Sequence, residues 1–124
     1  MLTLRVLPQT LAICRLAGDS EFPEWASASV FSSVTRTPDE LSIVCEQALV
    51  PAAVKSERDW RAIKVEGALD FALTGILASI AKPLAKAKIS LFAVSTFDTD
   101  YILVKSQTIE QATAALAGAG FKFI

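Results

Sequence analysis

Residues 95–100, Ser-Thr-Phe-Asp-Thr-Asp, place hydroxyls, an aromatic ring and two carboxylates in one short segment. They join two apolar runs, residues 89–94 and 101–105, whose composition is typical of strands, so the segment is expected to be a hairpin joint. Asp98 and Asp100 could serve as general acid and base, but carboxylates two residues apart across a turn have no fixed separation. They could instead bond their own backbone in a solvated turn, or they could face a ligand. The residues alone leave these alternatives open.

The composition excludes several kinds of site. The chain has 124 residues with 12 basic and 13 acidic side chains, which give a formal net charge of −1. No basic stripe is present, so nucleic-acid binding is not expected. The sequence has no histidine, which removes the commonest metal ligand and the histidine-dependent catalytic triads. We therefore predict no metal site and no cofactor, and an enzyme is disfavoured.

Location and redox state follow from a few local features. Arg5 and Arg15 interrupt the apolar N-terminal segment, which makes it a poor signal peptide. The longest uncharged apolar stretch, residues 71–81, is too short to span a bilayer. Cys14 and Cys45 lie far apart in apolar runs without a CxxC spacing, so both are expected to be buried, reduced thiols. The sequence predicts a soluble, cytoplasmic protein that does not enter a membrane.

The C-terminal half predicts six elements in the order βαββαβ, which is the ferredoxin-like arrangement. The expected strands cover residues 60–69, 89–94, 101–105 and 121–124, and the expected helices cover residues 75–86 and residues from 108 onwards. Pro83 should bend the first helix because it removes a backbone hydrogen bond. Thr108 and Gln111 are predicted to form a capping box at the start of the second helix, and Gly118 and Gly120 to end it.

The N-terminal half repeats part of this pattern at an offset of about sixty residues. Residues 30–47 lie over residues 91–107, with Phe31 aligned to Phe92, Val34 to Val94, and residues 42–46 to residues 101–105 with one residue inserted. The first helix of this copy is expected to be reduced to a short element near residues 22–27, and residues 50–54 take the place of the second.

These patterns define the expected fold class as α+β. It consists of two ferredoxin-like units, the first degraded, with antiparallel sheets and helices on one face. The predicted domains are residues 1–59 and residues 60–124.

The strands of the C-terminal copy lack a polar face. Residues 89–94 carry a single polar residue and residues 101–104 carry no charged one, whereas a sheet with helices on one face normally alternates. Both faces are therefore expected to be covered by the other copy or by another chain. Since a monomer rarely leaves contiguous apolar surface open, and edge strands invite pairing, we predict a homodimer with contacts between sheets.

Residues 74–105, TGILASIAKPLAKAKISLFAVSTFDTDYILVK, resemble the ACT domain, and more closely the small tandem-ACT family related to the cytosolic arginine sensors of the CASTOR type. The resemblance rests on three motifs: Gly-Ile-Leu-x-x-Ile-x-x-Pro-Leu-Ala on the helix, Ile-Ser before a strand, and Ser-Thr-Phe-x-Thr-Asp before Tyr-Ile-Leu-Val. It covers residues 74–105 tightly and residues 60–124 more loosely. The N-terminal copy fits in outline.

The resemblance implies a ligand-sensing module that binds a free amino acid where two such domains meet and has no chemistry of its own. The loop before the first helix would bind the backbone groups of the ligand, and the hairpin joint would contact its side chain. The ligand-binding residues implied are Asp70, Phe71, Leu73, Thr74, Gly75, Thr96, Phe97 and Asp100. Leu73 stands where the arginine sensors have an acidic residue, so arginine itself is not implied.

The chemistry of the residues agrees with that implied site. Unpaired N–H groups at the start of the helix after Gly75 favour a carboxylate. Asp100 or Asp98 could hold an ammonium or guanidinium group, and Phe97 could pack on an aliphatic stem. The competing interpretations are a core position for Phe97 and an ordinary helix start at Gly75.

Other functions remain open at this stage. A structural or protein–protein interaction module with a vestigial pocket is favoured by Leu73 and by the degraded first copy. A small enzyme lacks histidine, and an RNA binder on the same topology lacks aromatic and basic residues on its strands. A sensor would also need a regulated partner protein, which the sequence does not identify. Trp25 and Trp60 are expected to be packing residues, and Glu46 and Glu66 solvated strand ends.

Overall fold

The computed structural model describes residues 2–67 and 74–124. It divides the chain into a larger unit, Met1–Pro8 with Arg61–Ile124, and a smaller unit, Gln9–Trp60. The predicted division between residues 59 and 60 lies one residue from the second of these boundaries. The difference is that the first eight residues belong to the larger unit.

Seven strands and two helices make up the described elements. The strands are β1 (Thr3–Leu16), β2 (Ser33–Arg36), β3 (Leu41–Glu46), β4 (Ser56–Val65), β5 (Phe92–Ser95), β6 (Asp100–Lys105) and β7 (Lys122–Phe123). The helices are α1 (Ile76–Lys86) and α2 (Ile109–Gly118). From β4 to β7 the order is the predicted βαββαβ. The chain thus has an α+β, ferredoxin-like fold with a largely antiparallel sheet and two helices.

The larger unit orders its strands β7–β1–β4–β6–β5. Strands β5 and β6 pair antiparallel, with Phe92 opposite Leu103 and Ser95 opposite Asp100. The final strand β7 pairs in parallel with β1, where Thr3 lies opposite Lys122. No strand is predicted at the N-terminus from the sequence, so β1, the partner of the last strand, was missed.

Helix α1 begins after Gly75, which has φ 76° and ψ 2°, in the left-handed region that glycine adopts without steric cost. Ile80 and Leu84 are buried on its inner face. Pro83 lies inside the helix as predicted. The amide of Ser79 donates to the carbonyl of Gly75, which closes the first turn.

Helix α2 starts where predicted but by a different device. Thr108 makes no side-chain cap bond to the helix, so the predicted capping box is wrong. Its hydroxyl instead donates to the carbonyl of Lys105 at 2.9 Å, within a 3-10 turn over Ser106–Thr108. Gly118 is the last helical residue, and Gly120 follows with φ 104°. The two glycines end the helix, as expected.

The core of the larger unit lies between the sheet and the two helices. Its fully buried residues are Leu4, Ile63, Val65, Ile80, Leu84, Ile102, Val104, Ala112 and Leu116, with Ile89 nearly so. In β6 the residue between two of these, Leu103, is also 0% exposed, on the opposite face of the strand. Both faces of β6 are therefore covered within a single chain, which is one of the two predicted alternatives. In β5, Ala93 and Ser95 are exposed.

The smaller unit orders its strands β2–β3–β1–β4, with the first five residues of β4 belonging to it. A 3-10 turn at Glu24–Ala26 stands where a short element was predicted in place of the first helix. Its core contains both cysteines, which are free thiols. Ala12 lies opposite Cys45, so Cys14 is the diagonal cross-strand neighbour of Cys45 on the same face.

The two thiols interact with each other. A hydrogen bond from Cys45 lowers the pKa of Cys14, against the opposing effect of burial, and Arg58 lowers it further. The same hydrogen bond, with burial, raises the pKa of Cys45 far above its usual range. In this hydrogen bond Cys45 is the donor and Cys14 the acceptor. Both cysteines are buried and free, so the expectation of two buried, reduced thiols is confirmed.

The β2–β3 and β5–β6 hairpins share one register. Val34 lies opposite Ile43, and Ala93 lies opposite Ile102. Both pairs are related by a spacing of 59 residues, and so are Glu46 and Lys105 at the strand ends. The predicted alignment of residues 42–46 with residues 101–105 has this spacing. The predicted matches of Phe31 with Phe92 and of Val34 with Val94 do not have this spacing. The two hairpins align without the one inserted residue that was predicted.

Candidate functional site

The joint between β5 and β6 is a closed turn over residues 96–99. The amide of Thr96 donates to the carbonyl of Thr99 at 2.9 Å, and the hydroxyl of Thr96 donates to the same carbonyl at 3.0 Å. The amide of Thr99 in turn lies 3.3 Å from the Thr96 hydroxyl oxygen. The first threonine thus fixes the turn through its own side chain, as hydroxyl residues do in such turns.

Thr99 anchors this turn to the rest of the unit. Its side chain is buried, with 4% exposure, and its hydroxyl donates to the carbonyl of Val65 at 2.6 Å. Val65 is the last residue of β4, from which the chain leads towards α1. Thr99 is not among the predicted site residues, because a threonine in a polar turn gives no sign of a partner more than thirty residues away.

The remaining residues of the joint lie at the surface. Phe97 is 80% exposed, so the alternative interpretation of a core position is wrong. Asp98 is also exposed, whereas Asp100 is half-buried at the first position of β6. An aromatic ring and one carboxylate therefore project from a turn whose backbone is fixed by its threonines, and a second, half-buried carboxylate follows at the start of β6.

The start of α1 provides the second half of the predicted site. Thr74 and Gly75 are exposed. Gly75, whose backbone is in the left-handed region, has no side chain that could cap the helix. The first turn of the helix contains no acidic residue. The N–H groups of the first helical turn have no intrahelical acceptor, and they carry the positive end of the helix dipole. This terminus can therefore accept an anionic group.

Three predicted site residues, Asp70, Phe71 and Leu73, lie outside the described residues, as does the predicted end of the β4 strand at Leu69. The structure therefore places Thr74, Gly75, Thr96, Phe97 and Asp100 of the predicted set. It brings the turn at residues 96–99 to the end of β4 through the Thr99–Val65 hydrogen bond.

Two acidic residues expected to be solvated strand ends have partners. Glu66, which follows β4, accepts from Arg5 Nε at 2.7 Å and is more buried than that arginine. Glu46 accepts from the backbone amide of Val30 at 2.8 Å. The prediction for both residues is wrong, because each carboxylate holds a segment distant in the sequence. Glu66 in addition places a charged pair next to the end of β4.

Within residues 2–67 and 74–124, no group of three or more acidic, cysteine or histidine side chains is arranged to hold a metal ion. In the same residues, no helix has the length and apolar character required to cross a membrane.

Comparison with known proteins identifies the family. Residues 55–118 match the family model of the ACT domain, and the chain belongs to this family. A second family model, described as an N-terminal domain, matches residues 9–53. The two matched segments correspond closely to the C-terminal part of the larger unit and to the smaller unit.

Individual relatives extend this result. The chain is 31% identical over 100 residues to the human protein CASTOR3P, and the match covers 70% of this chain and 61% of that protein. The chain therefore spans less than two thirds of that relative. A crystal structure of a protein from Agrobacterium tumefaciens is 39% identical, with a TM-score of 0.93 over 99% of this chain and 92% of the other.

The fold is also similar to that of a solved subunit of another protein. The regulatory subunit of aspartate kinase from Thermus thermophilus, in a ligand-free form, has a TM-score of 0.59 and 14% identity. The match covers 93% of this chain and 97% of that subunit. At this identity the likeness concerns the fold. The chain is thus an ACT-domain protein that is similar in fold to a regulatory subunit.

Proposed function

We propose that the chain is a non-catalytic regulatory module that binds a free amino acid at the larger unit. The observation that carries the proposal is the Thr99–Val65 hydrogen bond, because it fixes an exposed aromatic and acidic turn at the end of the strand that leads to α1. Membership of the ACT family supports it, and so does the fold shared with a regulatory subunit of aspartate kinase.

In the proposed site, different protein groups contact three parts of the ligand. The N–H groups at the start of α1, beside Thr74 and Gly75, receive the carboxylate. Asp100, which is half-buried, faces the ammonium group or a cationic side chain, since partial burial strengthens a charge pair. Phe97 and Thr96 contact the remainder of the ligand. Asp70, Phe71 and Leu73 belong to the same site by resemblance to the family.

The smaller unit is proposed to be a degenerate ACT unit, so that the chain is a tandem of two. The shared hairpin register at a spacing of 59 residues supports this assignment, and so does the 3-10 turn that follows each hairpin, at Gln47–Leu49 and Ser106–Thr108. Such a module would work in the cytoplasm and pass its occupancy to a regulated protein.

A thermal-shift screen with the twenty amino acids tests the proposal. A ligand at a hundred times its dissociation constant adds about 2.7 kcal/mol to the free energy of unfolding, which raises Tm by several degrees. Asp100→Ala is expected to weaken binding without loss of the fold. Asp39→Ala is the matched control, because Asp39 lies in the corresponding turn of the smaller unit and its loss should leave binding unchanged.

Two outcomes contradict the proposal. If no amino acid at millimolar concentration shifts Tm, the pocket is vestigial and the chain is an interaction module. If Asp100→Ala unfolds the protein, Asp100 is a structural turn residue and the site is wrongly assigned.

A further inference from the structure

Helices α1 and α2 border an open groove of about 460 Å³. We call it the helix groove. Pro83 and Ala87 from the α1 side, and Ala115 and Ala119 from the α2 side, give it an apolar, small-residue lining. Because these side chains are short, a bulky apolar group can approach both helices closely.

Two lysines give the helix groove a positive charge. Lys82 and Lys86 line it and are exposed. They are four residues apart, so they lie on one face of the helix, where like charges repel. Helix α1 contains no aspartate or glutamate. Within the described part of the chain, neither lysine forms an ion pair. Helix α1 therefore supplies no counter-charge of its own for this face.

A segment of the same chain has the complementary character. Residues 19–24, Asp-Ser-Glu-Phe-Pro-Glu, which we call the acidic loop, carry three exposed carboxylates. None of the three forms an ion pair within the described residues. Phe22 in the middle of the loop is 42% exposed. Pro23 is extended, with φ −73° and ψ 139°, and a proline also restricts the residue before it to extended backbone.

We infer that the helix groove docks the acidic loop of a second copy of this chain. Phe22 of one copy fills the apolar lining of the groove, and the carboxylates beside it neutralise Lys82 and Lys86. The loop is held extended by its proline, so it loses little conformational freedom on docking. With a formal net charge of −1 per chain, overall charge does not draw two copies together, and the attraction comes from the two patches.

This inference moves the predicted homodimer contact from the sheets to the helices. A dimer contact between sheets would require an uncovered apolar strand, whereas Ile102, Leu103 and Val104 are all 0% exposed in one chain. Docking at the groove does not depend on an amino-acid ligand. Failure of ligand binding and failure of self-association are therefore separate results.

Charge reversal tests the contact by light scattering and sedimentation velocity. The wild-type chain should reach twice the 13.3 kDa of one chain as its concentration rises. Lys82→Glu with Lys86→Glu, and separately Glu21→Lys with Glu24→Lys, should each remain monomeric. Lys55→Glu with Lys122→Glu changes the net charge by the same amount at exposed positions outside both patches, and it should associate like the wild type.

A mixture of the two charge-reversed variants provides the decisive experiment. The two reversed variants, each monomeric alone, should associate with each other, because each groove then meets a loop of opposite charge. The chain with all four reversals should associate by itself. Phe22→Ser should weaken wild-type association by about tenfold or more, since a buried aromatic anchor dominates small interfaces. Circular dichroism confirms that each variant is folded.

The inference is overturned if the wild type stays monomeric at high micromolar concentration, in which case the groove serves a different partner. It is equally overturned if the wild type associates but the reversed variants do so too, or if the mixture fails to associate. Association that survives 1 M salt, where the Debye length falls to about 3 Å, would also contradict a charge-based contact.

Discussion

The turns over residues 37–40 and 96–99 are closed by the same hydrogen bonds but have different surroundings. In the smaller unit the amide of Thr37 donates to the carbonyl of Glu40 at 2.9 Å, and in the larger unit the amide of Thr96 donates to the carbonyl of Thr99 at 2.9 Å. The hydroxyl of Thr37 accepts from the amide of Glu40, just as that of Thr96 accepts from the amide of Thr99.

The first turn is surrounded by its own chain. Arg15 donates to the carbonyl of Asp39 at 2.9 Å, and Arg36 donates to the carbonyl of Gly18 at 2.6 Å. A Cβ atom at Gly18 would lie 2.6 Å from the carbonyl oxygen of Pro38, so the backbone of that loop passes directly against the turn. This turn is used to hold the smaller unit together.

The second turn is anchored through Thr99 and exposed at Phe97. Thr99 provides the anchor at Val65, and Phe97 is 80% exposed where the first turn has Pro38. Position 100 is a half-buried aspartate, whereas the corresponding Leu41 is 0% exposed in the core. The same turn geometry thus serves packing in one unit and is available for a ligand in the other, because different residues surround it.

The largest effect is expected from Gly18→Ala, which tests whether the first turn is closed by packing. The added methyl group would overlap the backbone carbonyl of Pro38, so one of the two segments must move. We expect a loss of about 3 kcal/mol in the free energy of unfolding, at the upper end for overpacked sites. Denaturant unfolding measures it.

Gly118→Ala is the matched control for that substitution. Gly118 lies in α2, and a Cβ atom there would meet nothing within 4 Å. We expect no loss in the free energy of unfolding and a gain below about 0.5 kcal/mol, because Gly118 is the last helical residue and the full glycine penalty applies to helix interiors. Equal losses in the two variants would show that the Gly18 contact has no special weight.

Thr99→Val tests the anchor of the second turn. The substitution keeps the shape but removes the donor to Val65, leaving a buried carbonyl without its bond. We expect a loss of about 2 kcal/mol together with weaker ligand binding. Thr35→Val, at an exposed position of β2, is the control and should change stability little. If Thr99→Val lowers neither stability nor affinity, the turn is positioned by something else.

Phe97→Pro converts the tip of the second turn to the sequence of the first. Since Phe97 is 80% exposed, stability should change by no more than about 0.5 kcal/mol. Loss of the ring should reduce affinity for the amino acid by about tenfold, equivalent to 1.4 kcal/mol. Calorimetric titration measures this, with Pro38→Phe as the reciprocal variant that should not change affinity. Unchanged affinity in Phe97→Pro would remove the ring from the site.

The last substitution, Cys45→Val, introduces the residue type found at the corresponding Val104. Volumes are similar, so the loss should stay below about 1.5 kcal/mol. The hydrogen bond that lowers the pKa of Cys14 disappears while burial remains, so that pKa should rise. The ultraviolet absorbance of the thiolate, followed against pH, should show Cys14 ionising at higher pH than in the wild type. An unchanged titration would mean that the two thiols do not interact.

Local sequence patterns determined which segments became elements. The periodicity of residues 75–86 predicted α1, and the run from Tyr101 predicted β6, because helix faces and strand alternation depend on neighbours in the sequence. The bounds of α2 followed from Thr108, Gly118 and Gly120, although the capping box predicted at Thr108 does not form. The repeat alignment was right for residues 42–46, but it was drawn to Phe31 and Phe92 by their shared residue type.

Tertiary structure decided which of these segments met and which remained exposed. The parallel pairing of β7 with β1, the Thr99–Val65 bond and the contact of Gly18 with Pro38 join residues far apart in the sequence. No periodicity within a window reports such contacts, since they depend on how the sheet is ordered. The sequence could therefore nominate two similar turns, and only the packing around each separated a structural turn from a candidate binding site.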